Sequence, residues 1–173
     1  MPSQFDRQYA YERRLPHYQK HGVPVFITFS KLGLGTFTCK SRDLILKHCL
    51  HDNGKKYTLH AAVIMPDHVH LLLTPLPDET GWPFSLPSIL KALKGASARS
   101  VNKLMGTEGA VWQEESFDHV LRSSESARQK MEYIIQNPVR RNLVCKPEQY
   151  RWLWIEEKWR PLLCTADTLV RGL

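Results

Sequence analysis

The sequence predicts an α+β fold: an antiparallel sheet with helices packed on one face, and one further helix near the C-terminus. Three observations carry this. Runs dense in β-branched and aromatic residues occur at 22–31, 57–65 and 68–74. Apolar residues recur at helical spacing over about 42–53, 86–105 and 125–137. Glycine, proline and Asn-Gly steps separate these runs.

Taken in order, residues 1–21 hold Arg7, Arg13, Arg14 and Lys20 with little periodicity, which reads as an extended arm. GVPVFITFSK (22–31) is the first strand, broken by Gly33 and Gly35. Ser41 is the expected N-cap of a first helix, whose Leu44, Ile45 and Cys49 share a face and which ends at Asn53-Gly54. YTLHAAVIM (57–65) is a second strand, Pro66-Asp67 a tight corner and HVHLLLT (68–74) a third strand. Pro75, Pro77, Gly81 and Pro83 make a loop.

The helix over 86–105 has an apolar stripe of Leu86, Ile89, Leu90, Leu93, Val101 and Leu104, with Lys91, Lys94, Arg99 and Lys103 on the opposite half. That basic half is either a solvated outer face or a track for a phosphate backbone. VWQEESFDHVLR (111–122) is strand or irregular. Ser124 is the expected N-cap of a helix over about 125–137, with Pro138 as its stop. The tail, residues 146–173, is assigned no element. The order β-α-β-β-α-β followed by a helix is that of the ferredoxin-like split β-α-β arrangement. In that topology the sheet face turned away from the paired helices is free to carry a site.

At 173 residues the chain is expected to be one domain, with 42% hydrophobic residues for its core. No apolar run approaches the ~20 residues that span a bilayer, and the N-terminus lacks the apolar core of a signal peptide. Cys39, Cys49, Cys145 and Cys164 form no CxxC pair and read as reduced thiols of a cytoplasmic protein. Lys and Arg number 24 against 17 Asp and Glu, a net charge of +7, which suits a polyanionic partner such as nucleic acid.

The chemistry centres on His68-Val69-His70. On a strand, His68 and His70 point one way and Val69 the other. Two imidazoles on one rigid face are half of a site for a divalent metal. Tyr133 and Asn137, four apart on the last helix, share a face of it. Asn137 offers an amide oxygen as a third ligand. Asp118 and His119 are further candidates by type, and Asp67 is a fourth ligand or a partner that orients His68. With a metal polarising a phosphate, the Tyr133 phenol can act as nucleophile and conserve the phosphodiester energy in a phosphotyrosine. A second hydroxyl can then reverse the attack.

The runs MPDHVHLLL, SLPSILKALKGASARSVNKL, VWQEESFDHVLRS and YIIQNPVRRNLV, in that order, resemble the REP-associated tyrosine transposases. These are single-tyrosine members of the His-hydrophobe-His (HUH) endonucleases, akin to insertion-sequence-200-like transposases. RRLPHYQKHGVPVFITF is similar to their opening strand, so the likeness spans about residues 10–155. It implies that His68, His70 and Asn137 bind magnesium or manganese and that Tyr133 is the nucleophile. Imidazole donors favour manganese of the two. Trp112, Gln113, Asp118 and His119 match a WQ…DH signature. The likeness further implies a 5′-phosphotyrosine on single-stranded DNA, recognition of a DNA hairpin and a short flanking single-stranded tetranucleotide, no membrane, a nucleoid-associated cytoplasmic location, and a monomer with a dimer as the alternative. Arg13, Arg14, Lys91, Lys94, Arg99 and Lys103 are the candidate DNA contacts. Where the family often carries Gly, this chain has Asn142, which tolerates the left-handed conformation.

Two other functions fit parts of the pattern. One is a catalytically inactive DNA-hairpin binder. The other is a nucleotide hydrolase of the His-x-His-x-His kind, which lacks its third histidine here because residue 72 is Leu.

Overall fold

Alternation in the first strand sends Val25, Ile27 and Phe29 to one side and Phe26 to the other, into two separate cores. A computed structural model of the protein describes residues 22–121 and 123–163. The arm at 1–21, with Arg7, Arg13, Arg14 and Lys20, lies outside the described residues, as does the chain from Cys164 onward. The element order is β1 (Val25–Lys31), α1 (Cys39–His51), β2 (Tyr57–Ile64), β3 (His68–Pro75), α2 (Leu86–Met105), β4 (Trp112–Val120), α3 (Ser124–Arg140) and β5 (Leu153–Ile155). Short 3-10 turns occupy Pro147–Gln149 and Glu157–Trp159. The sheet runs β4-β1-β3-β2-β5, and every neighbouring pair is antiparallel. The first four strands have the ferredoxin-like order that the sequence predicts.

Helices α1 and α2 cover the face built by Val25, Ile27, Phe29, Val69, Leu71 and Leu73. Helix α3 covers the other, with Met131, Ile134 and Ile135 on Phe26, Ala61, Val63 and Leu72. The stripe of α2 is Leu86, Ile89, Leu93, Ser97 and Val101. Ser97, the polar member, accepts a 3.0 Å hydrogen bond from Trp112 Nε1 and donates to Leu93 O, so the indole at the start of β4 is bolted to α2. Ser85 caps α2, and Gly106 closes it in the left-handed region at φ 65°, which glycine reaches without strain.

Three local expectations are corrected. The cap of α1 is Thr38, whose hydroxyl accepts from Ser41 N, so the helix begins at Cys39 and Ser41 is buried one turn inside. Ser123, not Ser124, caps α3 and makes a capping box with Ser126. Pro138 does not stop α3, which continues to Arg140. A proline ring forfeits one backbone hydrogen bond to the preceding turn. Here that turn is the last one, and Arg141 N and Leu143 N still bond to Asn137 O and Pro138 O. The chain then leaves through Asn142 at φ 55°.

The segment 111–122, left between strand and irregular structure by its sequence, is the edge strand β4. The unassigned tail adds β5, which pairs with β2 from Ala61↔Ile155 to Val63↔Leu153. Among the described residues, no helix is long and apolar enough to cross a membrane.

Candidate metal centre and nucleophile

The β3 alternation works as the sequence predicts. Val69 is fully buried under α1 and α2, while His68 and His70 point to the α3 side. Each ring is oriented through its δ-nitrogen. His68 Nδ1 lies 2.6 Å from Asp67 Oδ1, and His70 Nδ1 lies 2.7 Å from Thr28 Oγ1. Both ε-nitrogens turn toward the same point and stand 3.0 Å apart. A δ-nitrogen that donates to an oxygen leaves its ε-nitrogen with the lone pair, the tautomer a metal ligand needs.

Burial and the neighbouring charges set the protonation state of His70. Burial, and then the charges of His68, Arg141 and Lys130, push the His70 pKa down to about 3, so its ring is neutral. Burial works against charge on Asp67, but the hydrogen bond from His68 and the charges of His68 and Arg141 outweigh it and hold the carboxyl below the usual range. Arg141 Nη2 sits 3.5 Å from Asp67 Oδ2. The second imidazole partner, Thr28, faces His70 directly across the β1–β3 ladder.

Helix α3 brings Tyr133 and Asn137 to the same point. The Tyr133 ring meets His70 edge-on at 5.2 Å between centroids, and meets Phe26 at 5.9 Å. One turn later, Asn137 Nδ2 lies 3.2 Å from His70 Nε2, and its Oδ1 is buried with no hydrogen-bond partner. The two ends of a carboxamide are nearly the same size, so reversing this amide exchanges an N–H for an oxygen at no packing cost. Two imidazoles and an amide oxygen fit a divalent cation with open positions. Among the described residues no group of three His, Cys, Asp or Glu side chains could hold a metal ion.

Cations surround the phenol. Lys130 Nζ is 4.8 Å from the Phe26 ring centre and 5.8 Å from that of Tyr133, and Arg140 Cζ is 5.6 Å from the latter. Lys130, Arg140, Arg141 and Thr28 are site residues that the sequence reading passed over. Three of them carried a signal. Lys130, Tyr133, Asn137 and Arg140 or Arg141 recur at helical spacing on one face of α3. Thr28 carried none, because its role comes from strand register.

The remaining candidates are distributed otherwise. On β4, His119 lies opposite Phe26, on the imidazole face, and is exposed. Asp118 lies opposite Ile27, on the α1–α2 side, so it is not placed to be a ligand with His68 and His70. Trp112 is core, meeting Phe29 edge-on and Phe37 at a tilt, while Gln113 is exposed. Lys91, Lys94, Arg99 and Lys103 are on α2, across the sheet from the imidazoles. Lys94 Nζ is engaged by Gln113 O, Glu114 O and Ser116 Oγ at 2.7, 2.9 and 3.2 Å.

Comparison with known proteins adds the following. The family model described as "Transposase IS200 like" matches residues 38–137, from the cap of α1 to Asn137. The ISDra2 transposase TnpA of Deinococcus radiodurans is 37% identical over 102 residues, covering 53% of this chain and 66% of that protein. This chain thus matches just under two thirds of that relative's length. Among solved structures, a REP-associated tyrosine transposase bound to a REP hairpin superposes with a TM-score of 0.63 at 19% identity, covering 92% of this chain and 86% of that one. A bacterial tRNA(His) guanylyltransferase (Thg1)-like protein in complex with GTP shares the architecture at a TM-score of 0.53 and 8% identity, covering 72% of this chain and 65% of that one. At such identities the likeness is one of fold, and the same fold hosts different reactions.

Proposed function

The chain belongs to the IS200-like transposase family, and from that premise we propose that it is a metal-dependent enzyme that nicks and rejoins single-stranded DNA beside hairpins through Tyr133. The observation that carries this is the meeting of a phenol ring, two ε-nitrogens and a buried amide at one point, from two elements distant in sequence. The cation-binding set is His68, His70 and Asn137, with Asp67 and Thr28 orienting the rings. A bound divalent cation supplies charge neutralisation on the attacked phosphate.

The protein's own groups do the rest. Tyr133 Oη forms the new bond to phosphorus, the P–O3′ bond breaks, and the departing 3′-oxygen takes a proton while the phenolic proton passes to solvent. DNA is left attached through a 5′-phosphotyrosine. Phe26 and His70, stacked on each other, both pack edge-on against the phenol ring, which limits its movement. Lys130 and Arg140 are placed to offset the phosphate charge as it approaches the ring. The reverse attack by a second 3′-hydroxyl reseals DNA without a nucleotide cofactor.

The test uses a labelled DNA hairpin with single-stranded flanks, manganese, and denaturing gels. Wild-type protein should yield a protein–DNA adduct and a shortened strand. Tyr133→Phe should yield neither, while still binding the probe. Binding without an adduct in the wild type would leave a hairpin-binding protein and refute the enzyme.

A further inference from the structure

We infer that the open half of the imidazole face, beside α3, is a shelf for an unpaired nucleobase, with Phe117 as its stacking platform. The inference deepens the reading above and rests on it. Helix α3 packs over β2 and β3. Toward the β4 edge no described helix packs on the same face: Phe117 is 55% exposed and His119 is exposed as well. The other side of β4 behaves differently, with Trp112 buried and Ser116, Asp118 and Val120 half-buried toward α2. A large aromatic is therefore held out to solvent on a rigid strand, and nothing in either core requires it there.

Its position relates it to the reaction centre. Phe117 stands opposite Thr28, the residue that orients His70, so both side chains rise from one face. Its neighbour on that face, His119, stands opposite Phe26, over which Lys130 Nζ is poised. From β3 to β4 is two strand spacings, about 10 Å. A nucleotide adjoining one whose phosphate lies at the imidazoles can span that gap. Aromatic side chains on basic surfaces hold single strands by stacking, since every base has a π-face. A paired base has both faces inside its helix, so the shelf selects unpaired nucleotides. Lys130, Arg140 and the net charge of +7 supply the attraction for the backbone.

The experiment measures binding, in a Tyr133→Phe background so that no probe is consumed. The probe is a DNA hairpin with a single-stranded flank in which one 2-aminopurine is walked from position to position. Quenching is expected at one flank position. Phe117→Ala should lose that quench and weaken binding about tenfold or more. Phe117→Trp should keep both, and Phe117→Leu should behave like the alanine variant, since it retains apolar bulk without a π-face. A probe with a fully paired flank should respond to none of these changes. Alanine binding within about twofold of the parent with its quench intact would overturn the shelf, as would a leucine variant equal to phenylalanine. In those cases adduct formation by the otherwise wild-type protein would show that the nicking reading survives. If no variant binds a single-stranded flank, that reading fails and the shelf with it.

Discussion

Thr28 and His70 face each other across the β1–β3 ladder, with Thr28 Oγ1 2.7 Å from His70 Nδ1. This contact holds the His70 ring in the orientation that turns its Nε2 toward His68. Thr28→Val keeps the β-branched shape and removes the hydroxyl. Manganese affinity should fall about 10- to 100-fold, and Thr28→Ser should restore it. Isothermal titration with manganese measures this directly, and an unchanged melting temperature would separate it from misfolding. Valine binding metal as well as threonine would remove Thr28 from the site.

Lys130 and Arg140 flank the Tyr133 ring at 5.8 and 5.6 Å from its centre. If each meets a phosphate, binding to single-stranded DNA should weaken with salt, and each alanine variant should lower the slope of log K against log salt by about 0.7. Lys91→Ala, on the far face of the sheet, should leave the slope unchanged. Fluorescence anisotropy at four salt concentrations is sufficient to measure it. Equal slopes for all three variants would place the backbone elsewhere.

His60 is buried between Glu156 Oε2 at 2.7 Å and Thr74 Oγ1 at 2.8 Å. Burial lowers its pKa, Glu156 opposes that, and Lys158 adds to it. A histidine whose folded pKa lies below its unfolded value stabilises the fold above the unfolded pKa, about 6.5, and loses that contribution as pH falls toward the folded value. Urea midpoints should therefore decline between about pH 7 and pH 5. His60→Gln should make the decline shallower. A steeper decline in the variant would contradict the sign.

Asn142 ends α3 at φ 55°. Only glycine, asparagine and aspartate visit this region readily. Asn142→Ala should cost about 1 kcal/mol, while Asn142→Gly should be close to neutral. Thermal or urea unfolding distinguishes them, and an alanine variant as stable as wild type would remove the strain argument.

Much of the site was legible because it is periodic. The two-residue spacing of His68 and His70 and the four-residue spacing of Tyr133 and Asn137 are local geometry, set by the pleat and by the helical turn. The left-handed exit at Asn142 was also readable, from the glycine that the resembled family often carries there and from the tolerance of asparagine for that conformation. The stop expected at Pro138 was not realised, because α3 needed only one more turn and the buried side chains of Met131, Ile134 and Ile135 hold it in place. The strand β5 was hidden in a tail whose Leu153, Trp154 and Ile155 become a strand only by bonding to the free edge of β2.

By itself, then, the amino-acid order determined strands β1 to β3 and the three helices, the face each functional side chain takes on its own strand or helix, and the family to which the chain belongs. Tertiary structure alone decided that the imidazoles and the phenol share a point, that Thr28 and Lys130 attend them, that Asp118 turns to the opposite side, and that Phe117 stands on an open edge. The reason is range. Spacing along one element is governed by backbone geometry over a few residues. Contacts across the sheet depend on strand order and register, which emerge only when every buried face is satisfied at once.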